Sequence, residues 1–407
     1  MPGGPYAIWD GAGAKLFAYP NVMLPHNHEW RVRTMTAKIR VDLSVHQRLP
    51  TSGARGVTLF EHAGRRYLAI PQLAKDIQGQ AAHMNGGDSN TEVMLFEWRQ
   101  GAFRQDAGLP IPGGEGIEIF DLDGRTFLAA ASLRKGSGPY ELNVNSPLLE
   151  RIGNEWRSFQ DFPTFAAKHF TFFECGGRKF LALAQGLTIP DAVAQARNPR
   201  HSCIHEWNGT RFAPFQTLAG GWGYGFAHFE MGDDTYLAYA DHTSPSLLFR
   251  FDGEKFQEHQ TLSETGGRAF KFFACDGEFW LCFAKIDGDS TLLRWNGAAF
   301  ERAQVLGGPG GREFAMFELA GERYLVRVCF IQGTPAKPKT DLKSQIYRWR
   351  KGAFEEVLEF DTQGATAAGV FAAEGRSYLV VSNSLTSDIR FRTDSVVYRL
   401  EPAESPT

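Results

Sequence analysis

The sequence has no long apolar segment, no run of basic residues and few cysteines. Its 407 residues contain no stretch of 18 apolar positions, so we expect no membrane-spanning helix. The formal net charge is only −3, and without a basic patch we expect no nucleic-acid partner. The N-terminal MPGGPYAIWDGAGAKLF lacks the basic start and apolar core of a secretory signal.

The cysteines and the missing motifs narrow the function further. An odd number of cysteines without paired spacing predicts free thiols, which are typical of the cytoplasm; they are Cys175, Cys203, Cys275, Cys282 and Cys329. No Gly-x-Gly-x-x-Gly, Walker, Gly-x-Ser-x-Gly, His-Glu-x-x-His or Cys-x-x-Cys motif stands in a context that would carry chemistry. We therefore expect no cofactor, and we disfavour nucleotide, redox and zinc enzymes.

Phenylalanine is abundant, with 33 residues, and it marks an internal repeat. In each copy a short apolar strand ends in Phe, a Gly turn follows, and a second strand begins with an aromatic residue and Leu. A third strand ends in a Trp or Asp turn, and a fourth carries another Phe. The seven anchor residues that end the first strands are Phe60, Phe120, Phe173, Phe229, Phe273, Phe317 and Phe371.

Four short strands per copy, rich in aromatic and β-branched residues, predict a four-stranded antiparallel sheet. Seven such sheets, each covering its neighbours, predict an all-β, seven-bladed β-propeller. The seventh copy lacks a fourth strand, whereas residues 45–49 precede the first copy and align with the fourth strand of other copies. The N-terminal strand is therefore predicted to complete the last blade and close the ring.

The unit F-E-x-x-G-x-x-Y-L-A … W-x-G-x-F-x-x-x-Q-x-L resembles the EAR repeat, also called the epilepsy-associated or EPTP repeat, over roughly residues 41–400. The chain looks like a stand-alone bacterial-type member of that family. The resemblance implies a seven-bladed propeller and, from the better-known animal members, a protein-binding module. Some members hold a calcium ion in the channel, so the resemblance leaves a structural cation open. The sequence itself assigns no metal ligands.

The predicted organisation is an N-terminal extension, residues 1–40, that packs on the propeller, the propeller itself, residues 41–400, and a tail, residues 401–407. We call the face where the innermost strands begin the top face. The second-to-third strand loops lie there, and they are long in blades one, two, three and six. Long insertions on one face of a repeat protein usually mark its binding face.

Polar residues converge on the predicted top of the channel. Five positions before the anchors stand Arg55, Glu115, Lys168, Tyr224, Arg268, Arg312 and Thr366, and four before stand His169 and Glu313. The ends of the second strands add Gln185, Asp241 and Lys285. This mixture suits a small polar or anionic ligand, because Arg binds carboxylate or phosphate through two parallel hydrogen bonds. The alternative is a solvated rim whose charges pair across neighbouring blades.

Two functions remain open. The first is a soluble propeller that binds a partner protein or a small molecule on its top face. The second is a cofactor-independent lyase, isomerase or cyclase, in which Arg268 and Arg312 hold an anionic substrate. In that enzyme His169, Glu313 or Lys168 would move protons. We favour binding.

Overall fold

A computed structural model describes residues 40–188 and 197–403. The described residues contain 30 β-strands and no helix. Seven antiparallel sheets of four strands form the blades of a propeller, which confirms the predicted fold, and the two remaining strands form a hairpin in a loop. Of the predicted N-terminal extension, residues 1–39 lie outside the described residues.

The first four blades each consist of consecutive strands. Blade one contains β2 (Thr58–His62), β3 (Arg65–Ile70), β4 (Val93–Arg99) and β5 (Ala102–Leu109). Blade two contains β6 (Gly114–Leu122), β7 (Arg125–Ser132), β8 (Asn143–Ile152) and β9 (Glu155–Phe165). Blade three contains β10 (Ala167–Cys175), β11 (Arg178–Gln185), β12 (His201–Trp207) and β13 (Phe212–Ala219). Blade four contains β14 (Gly223–Met231), β15 (Asp234–Asp241), β16 (Ser246–Phe251) and β17 (Phe256–Ser263).

The last three blades include the loop hairpin and the ring closure. Blade five contains β18 (Gly267–Cys275), β19 (Glu278–Lys285), β20 (Ser290–Trp295) and β21 (Phe300–Gly307). Blade six contains β22 (Gly311–Leu319), β23 (Glu322–Cys329), β26 (Lys343–Arg350) and β27 (Ala353–Asp361), and its loop carries the hairpin of β24 (Gln332–Thr334) and β25 (Lys337–Lys339). Blade seven contains β28 (Ala365–Ala373), β29 (Arg376–Asn383), β30 (Ser395–Ala403) and β1 (Arg40–Leu49).

The N-terminal strand β1 closes the ring as predicted. It pairs antiparallel with β30, with Leu43 opposite Leu400, and so supplies the outer strand of blade seven. Strand β30 continues to Ala403, three residues beyond the boundary that we predicted for the propeller. Because β1 covers an edge that would otherwise expose a row of unpaired backbone groups, the closure also protects blade seven against aggregation.

The blades pack on one another through the anchor aromatics. The ring of Phe120 stacks on Phe172 of the next blade with centroids 4.2 Å apart, and Phe229 stacks on Phe272 at the same distance. The second-strand aromatic residues lie behind them, and Phe127 and Phe180 are fully buried. Repetition of large apolar side chains on both faces of each sheet therefore gives a core that continues around the ring.

A Gln on the outer strand of five blades links that strand to the outer strand of the next blade. Its amide group donates to the backbone carbonyl and accepts from the backbone N–H of a Phe at or next to the start of the next outer strand. Blades one and six carry Ala107 and Leu358 at this position. The five links are Gln47–Phe103, Gln160–Phe212, Gln216–Phe256, Gln260–Phe300 and Gln304–Phe354, with distances of 2.7 to 3.0 Å.

The two faces of the propeller differ in their connections. At the bottom, the first and second strands are joined by tight two-residue turns, and in every blade but the fourth both turn residues have positive φ, as in Asp123–Gly124 and Ala320–Gly321. At the top, the second-to-third strand connections vary in length. They are short in blades four and five, and long in the others; the long connection of blade seven, residues 384–394, was not anticipated from the sequence. In the blade-three loop, residues 189–196 lie outside the described residues.

Candidate functional site

Six blades each contribute one polar side chain to a cluster at the top mouth of the channel. Each comes from the same position, five residues before the anchor Phe, where the innermost strand begins. The members of this cluster are Arg55, Glu115, Lys168, Tyr224, Arg268 and Arg312, and we call it the mouth cluster. The seventh blade contributes Thr366, whose hydroxyl is bound to the carbonyl of Ala54 at 2.9 Å and to Ser382.

Glu115 is the one carboxylate of the mouth cluster. Its Oε2 lies 3.8 Å from Arg55 Nε and 3.6 Å from an Arg312 nitrogen, and both Arg55 and Glu115 are 7% exposed. These distances are too long for hydrogen bonds, and neither Arg55 Nε nor Glu115 Oε2 has a hydrogen-bond partner in the described chain. Burial favours the neutral carboxyl, but Arg55, Lys168 and Arg312 outweigh burial and lower the pKa of Glu115.

Tyr224 organises the other cations around its ring. The guanidinium carbons of Arg268 and Arg312 lie over the ring at 3.9 and 4.7 Å from its centroid. The Lys168 ammonium lies 5.7 Å from the same centroid and 5.8 Å from that of Trp222. Cations over an aromatic face are attracted to its quadrupole, which holds these three side chains near one another despite their like charges.

The accumulated positive charge shifts the pKa values of the cluster. Burial and the nearby Arg55, Arg312 and Arg268 lower the pKa of Lys168 to about 7, although Glu115 acts in the opposite direction. Burial and Arg312 also lower the pKa of Arg268 to about 10. The cluster therefore holds three permanent cations, a lysine that titrates near neutrality and one carboxylate.

The predicted residues at the second-strand ends do not join the mouth cluster. Gln185 accepts the Phe165 N–H and donates to His201 O, both at 3.0 Å. Asp241 is fully buried and accepts hydrogen bonds from the Tyr239 hydroxyl, from the Trp222 N–H and from backbone N–H groups of the loop that follows Asp241. Among the described residues, Lys285 has no hydrogen bond from its ammonium group. Gln185 and Asp241 thus stabilise loops in this structure.

The three residues considered for proton transfer differ in their surroundings. His169 contacts the Thr171 hydroxyl at 3.1 Å, and burial together with Arg312 lowers its pKa to about 4. Burial raises the pKa of Glu313 to about 7, against the effect of Arg312 and Lys271. No hydrogen bond or ion pair among the described residues joins His169, Glu313 and Lys168. This arrangement does not support the enzyme hypothesis.

Two features of the site were not anticipated from the sequence. The top connections form their own apolar cluster, which includes Leu73, Leu133, Ile286, Phe330 and Leu385. We call it the apolar collar, and it adjoins the mouth cluster because the Arg55 guanidinium lies 5.1 Å from the Phe330 centroid. Arg134 holds the blade-one loop by donating to Ser89 Oγ and to the carbonyls of Asn85 and Gly86 at 2.6 to 2.9 Å.

The described part of the chain offers no metal site. No three His, Cys, Asp or Glu side chains within residues 40–188 and 197–403 are grouped as metal ligands. The five cysteines are unpaired, as expected. No helix in these ranges is long and apolar enough to cross a membrane.

Comparison with protein families relates the blades to a known repeat. Residues 211–252 and 255–296 match the family model of the EPTP domain. Over these two segments the chain is similar to EPTP repeats. Each match begins at the outer strand of one blade and ends with the third strand of the next, which is the same offset that closes the ring through β1. This similarity suggests a protein-binding β-propeller. No curated protein matches the chain.

Proposed function

We propose that this protein is a binding propeller that holds a partner protein on its top face, over the channel mouth. The similarity to EPTP repeats supports a binding role, and the geometry supports the top face. A propeller supplies a rigid scaffold, and residues that bind partners are most often carried on loops that such a scaffold positions.

The observation that carries the proposal is the asymmetry between the two faces. The described bottom turns between first and second strands are all two residues long, for example Asp123–Gly124 and Glu374–Gly375 with φ near +50° and +70°. The top connections range from four-residue links to the blade-one loop, residues 71–92. Variable insertions at one end of an otherwise regular repeat are typical of a surface that contacts a partner.

The long top loops are held in fixed positions. The Asp76 carboxylate accepts the backbone N–H groups of Phe391 and Arg392 at 3.2 and 3.0 Å, so the loops of blades one and seven are joined. Between them lies an open cleft of about 1050 Å³ whose lining includes Lys75, Gln78 and Arg390. Loops that are already ordered lose less conformational entropy when a partner binds.

The proposal is tested by changing the top face while leaving the blades intact. Residues 333–338 at the tip of the blade-six hairpin are mostly exposed and can be replaced by Gly-Ser. The matched control is a Gly-Ser insertion in the bottom turn at Gly232. A partner captured by the wild-type protein is purified, and its Kd is measured by calorimetry with each variant.

We expect the hairpin replacement to weaken binding roughly tenfold or more, as loss of central contacts does, with an unchanged melting temperature. The bottom insertion should leave Kd unchanged. Weakened binding in the bottom variant with wild-type binding in the top variant would overturn the proposal.

A further inference from the structure

We infer that the channel mouth is a binding site for an oxoanion, a carboxylate or a phosphate group. The site is the Tyr224 side of the mouth cluster, where Arg268, Arg312 and Lys168 meet. The inference goes beyond partner binding and does not depend on it, because small anions alone can occupy the site.

The first argument is charge. Four cationic side chains surround one carboxylate, so the mouth cluster is positive in a chain whose net charge is −3. Arg55, Lys168 and Arg268 are each 5 to 7% exposed, and the desolvation of buried cations is costly unless an anion is near. Glu115 forms its ion pairs with Arg55 and Arg312, and within the described chain neither Arg268 nor Lys168 has an ion pair, although Glu115 acts on both at longer range and Asp287 acts on Arg268.

The second argument is unused hydrogen-bonding capacity. Within the described chain, the Arg268 guanidinium donates one hydrogen bond, from Nη1 to the Gly267 carbonyl at 3.0 Å. Arg312 has the 3.6 Å ion pair with Glu115, and Arg55 Nε has no hydrogen-bond partner. A guanidinium carries five N–H donors, so several donors remain for a ligand.

The buried Arg134 shows that this fold can give each guanidinium nitrogen an acceptor when the role of the arginine is structural. Its donors are bound to Ser89 Oγ and to the Asn85 and Gly86 carbonyls, and its guanidinium lies 3.7 Å from the Tyr140 centroid. Arg268 also stacks on an aromatic ring, but within the described chain it donates one hydrogen bond, to Gly267. A bound oxoanion would accept from its other donors.

The chemistry of the site fits an oxoanion. Two guanidinium groups over one aromatic ring present planar N–H donors, and a planar carboxylate or a tetrahedral phosphate accepts from both. Lys168 and Arg268 are 5 and 7% exposed, and an anion is attracted more strongly to cations that are shielded from water. The low pKa of Lys168 agrees with this, because a bound anion would restore its charged form.

The inference is tested with succinate and inorganic phosphate as probes, below the Lys168 pKa of about 7. The melting temperature and the calorimetric Kd are measured with each probe. They are compared with the values in neutral succinamide and in NaCl at equal ionic strength. The test variant is Arg268→Gln with Arg312→Gln. The matched control is Arg250→Gln, which removes an exposed arginine at the bottom of blade four.

We expect at least one probe to raise the melting temperature beyond the NaCl control, since a ligand stabilises the state that it binds. The double variant should bind roughly tenfold more weakly or worse, whereas Arg250→Gln should bind as wild type. A response to succinate alone identifies a carboxylate site, and a response to phosphate alone identifies a phosphate site.

If the double variant does not fold, Arg268→Gln alone serves as the test variant, because Arg268 has no ion pair in the described chain. No response beyond NaCl, or an equal response in the folded variant, would overturn the inference, while the hairpin experiment separately decides partner binding.

Discussion

The glutamine links between blades predict a large effect from a small substitution. In Gln260→Leu, the backbone carbonyl and N–H of Phe300 lose partners at 2.7 and 2.8 Å, and Phe300 is 4% exposed. An unsatisfied buried group costs about 1–3 kcal/mol, and the links are only partly buried, so we take the lower end for each group and expect a loss of about 2 kcal/mol. Leucine fits the position sterically, because blade six carries Leu358 there.

The measurement is urea unfolding of the wild-type protein, of three single variants and of one double variant. The matched control is Gln257→Leu on the same strand, whose exposed amide reaches the Asp252 carboxylate and which should cost less than about 0.5 kcal/mol. Gln216→Leu, which breaks the preceding link, should add to Gln260→Leu within about 0.5 kcal/mol because the two links share no partner. Equal midpoints for Gln260→Leu and Gln257→Leu would refute the assigned role of the links.

Three further predictions concern the mouth cluster and the ring closure. Arg268→Met should raise the free energy of unfolding by about 1 kcal/mol in anion-free buffer, because it removes a buried charge beside other cations; a loss of stability in urea would contradict this. Succinate should bind more weakly as pH rises through about 7, by up to roughly tenfold per pH unit, because the anion raises the Lys168 pKa and the bound state then holds the extra proton. Glu313 ionises near the same pH and also weakens succinate binding as pH rises, so calorimetry of Lys168→Met and Glu313→Gln separates the two groups. His169 and His242, with pKa values of about 4, stay neutral in this range. If Lys168→Met leaves the dependence of succinate Kd on pH unchanged, this lysine is excluded. Deletion through Leu49 should yield aggregates in size-exclusion chromatography because β30 loses its partner strand, and a monomer that melts cooperatively would contradict the closure.

The architecture could be predicted from the sequence because a propeller is built from local pairing. Each blade is a run of strands joined by tight turns, so the periodic Phe anchors and Gly turns locate the blades without knowledge of distant contacts. The same periodicity placed Arg55, Glu115, Lys168, Tyr224, Arg268 and Arg312 at equivalent positions. Equivalent positions in a closed ring must face one axis, which is why their convergence was predictable.

The bonding of these side chains was decided by tertiary structure alone. Asp241 and Gln185 stand at equivalent positions, and each accepts a backbone N–H from the segment that leads into its blade, from Trp222 and Phe165 respectively. Their other bonds differ, because Asp241 also accepts from Thr243 and Ser244 of the loop that follows it, whereas Gln185 donates to the His201 carbonyl. The long loop of blade seven and the apolar collar depend on how irregular segments pack across blades.

The amino-acid sequence therefore determined the number of blades, the closing strand and the residues that face the channel mouth, because these follow from the repeat. Only the folded ring decided which charges are neutralised. Whether an arginine has an acceptor depends on distances of a few ångströms, and within the described chain Arg134 donates three hydrogen bonds where Arg268 donates one.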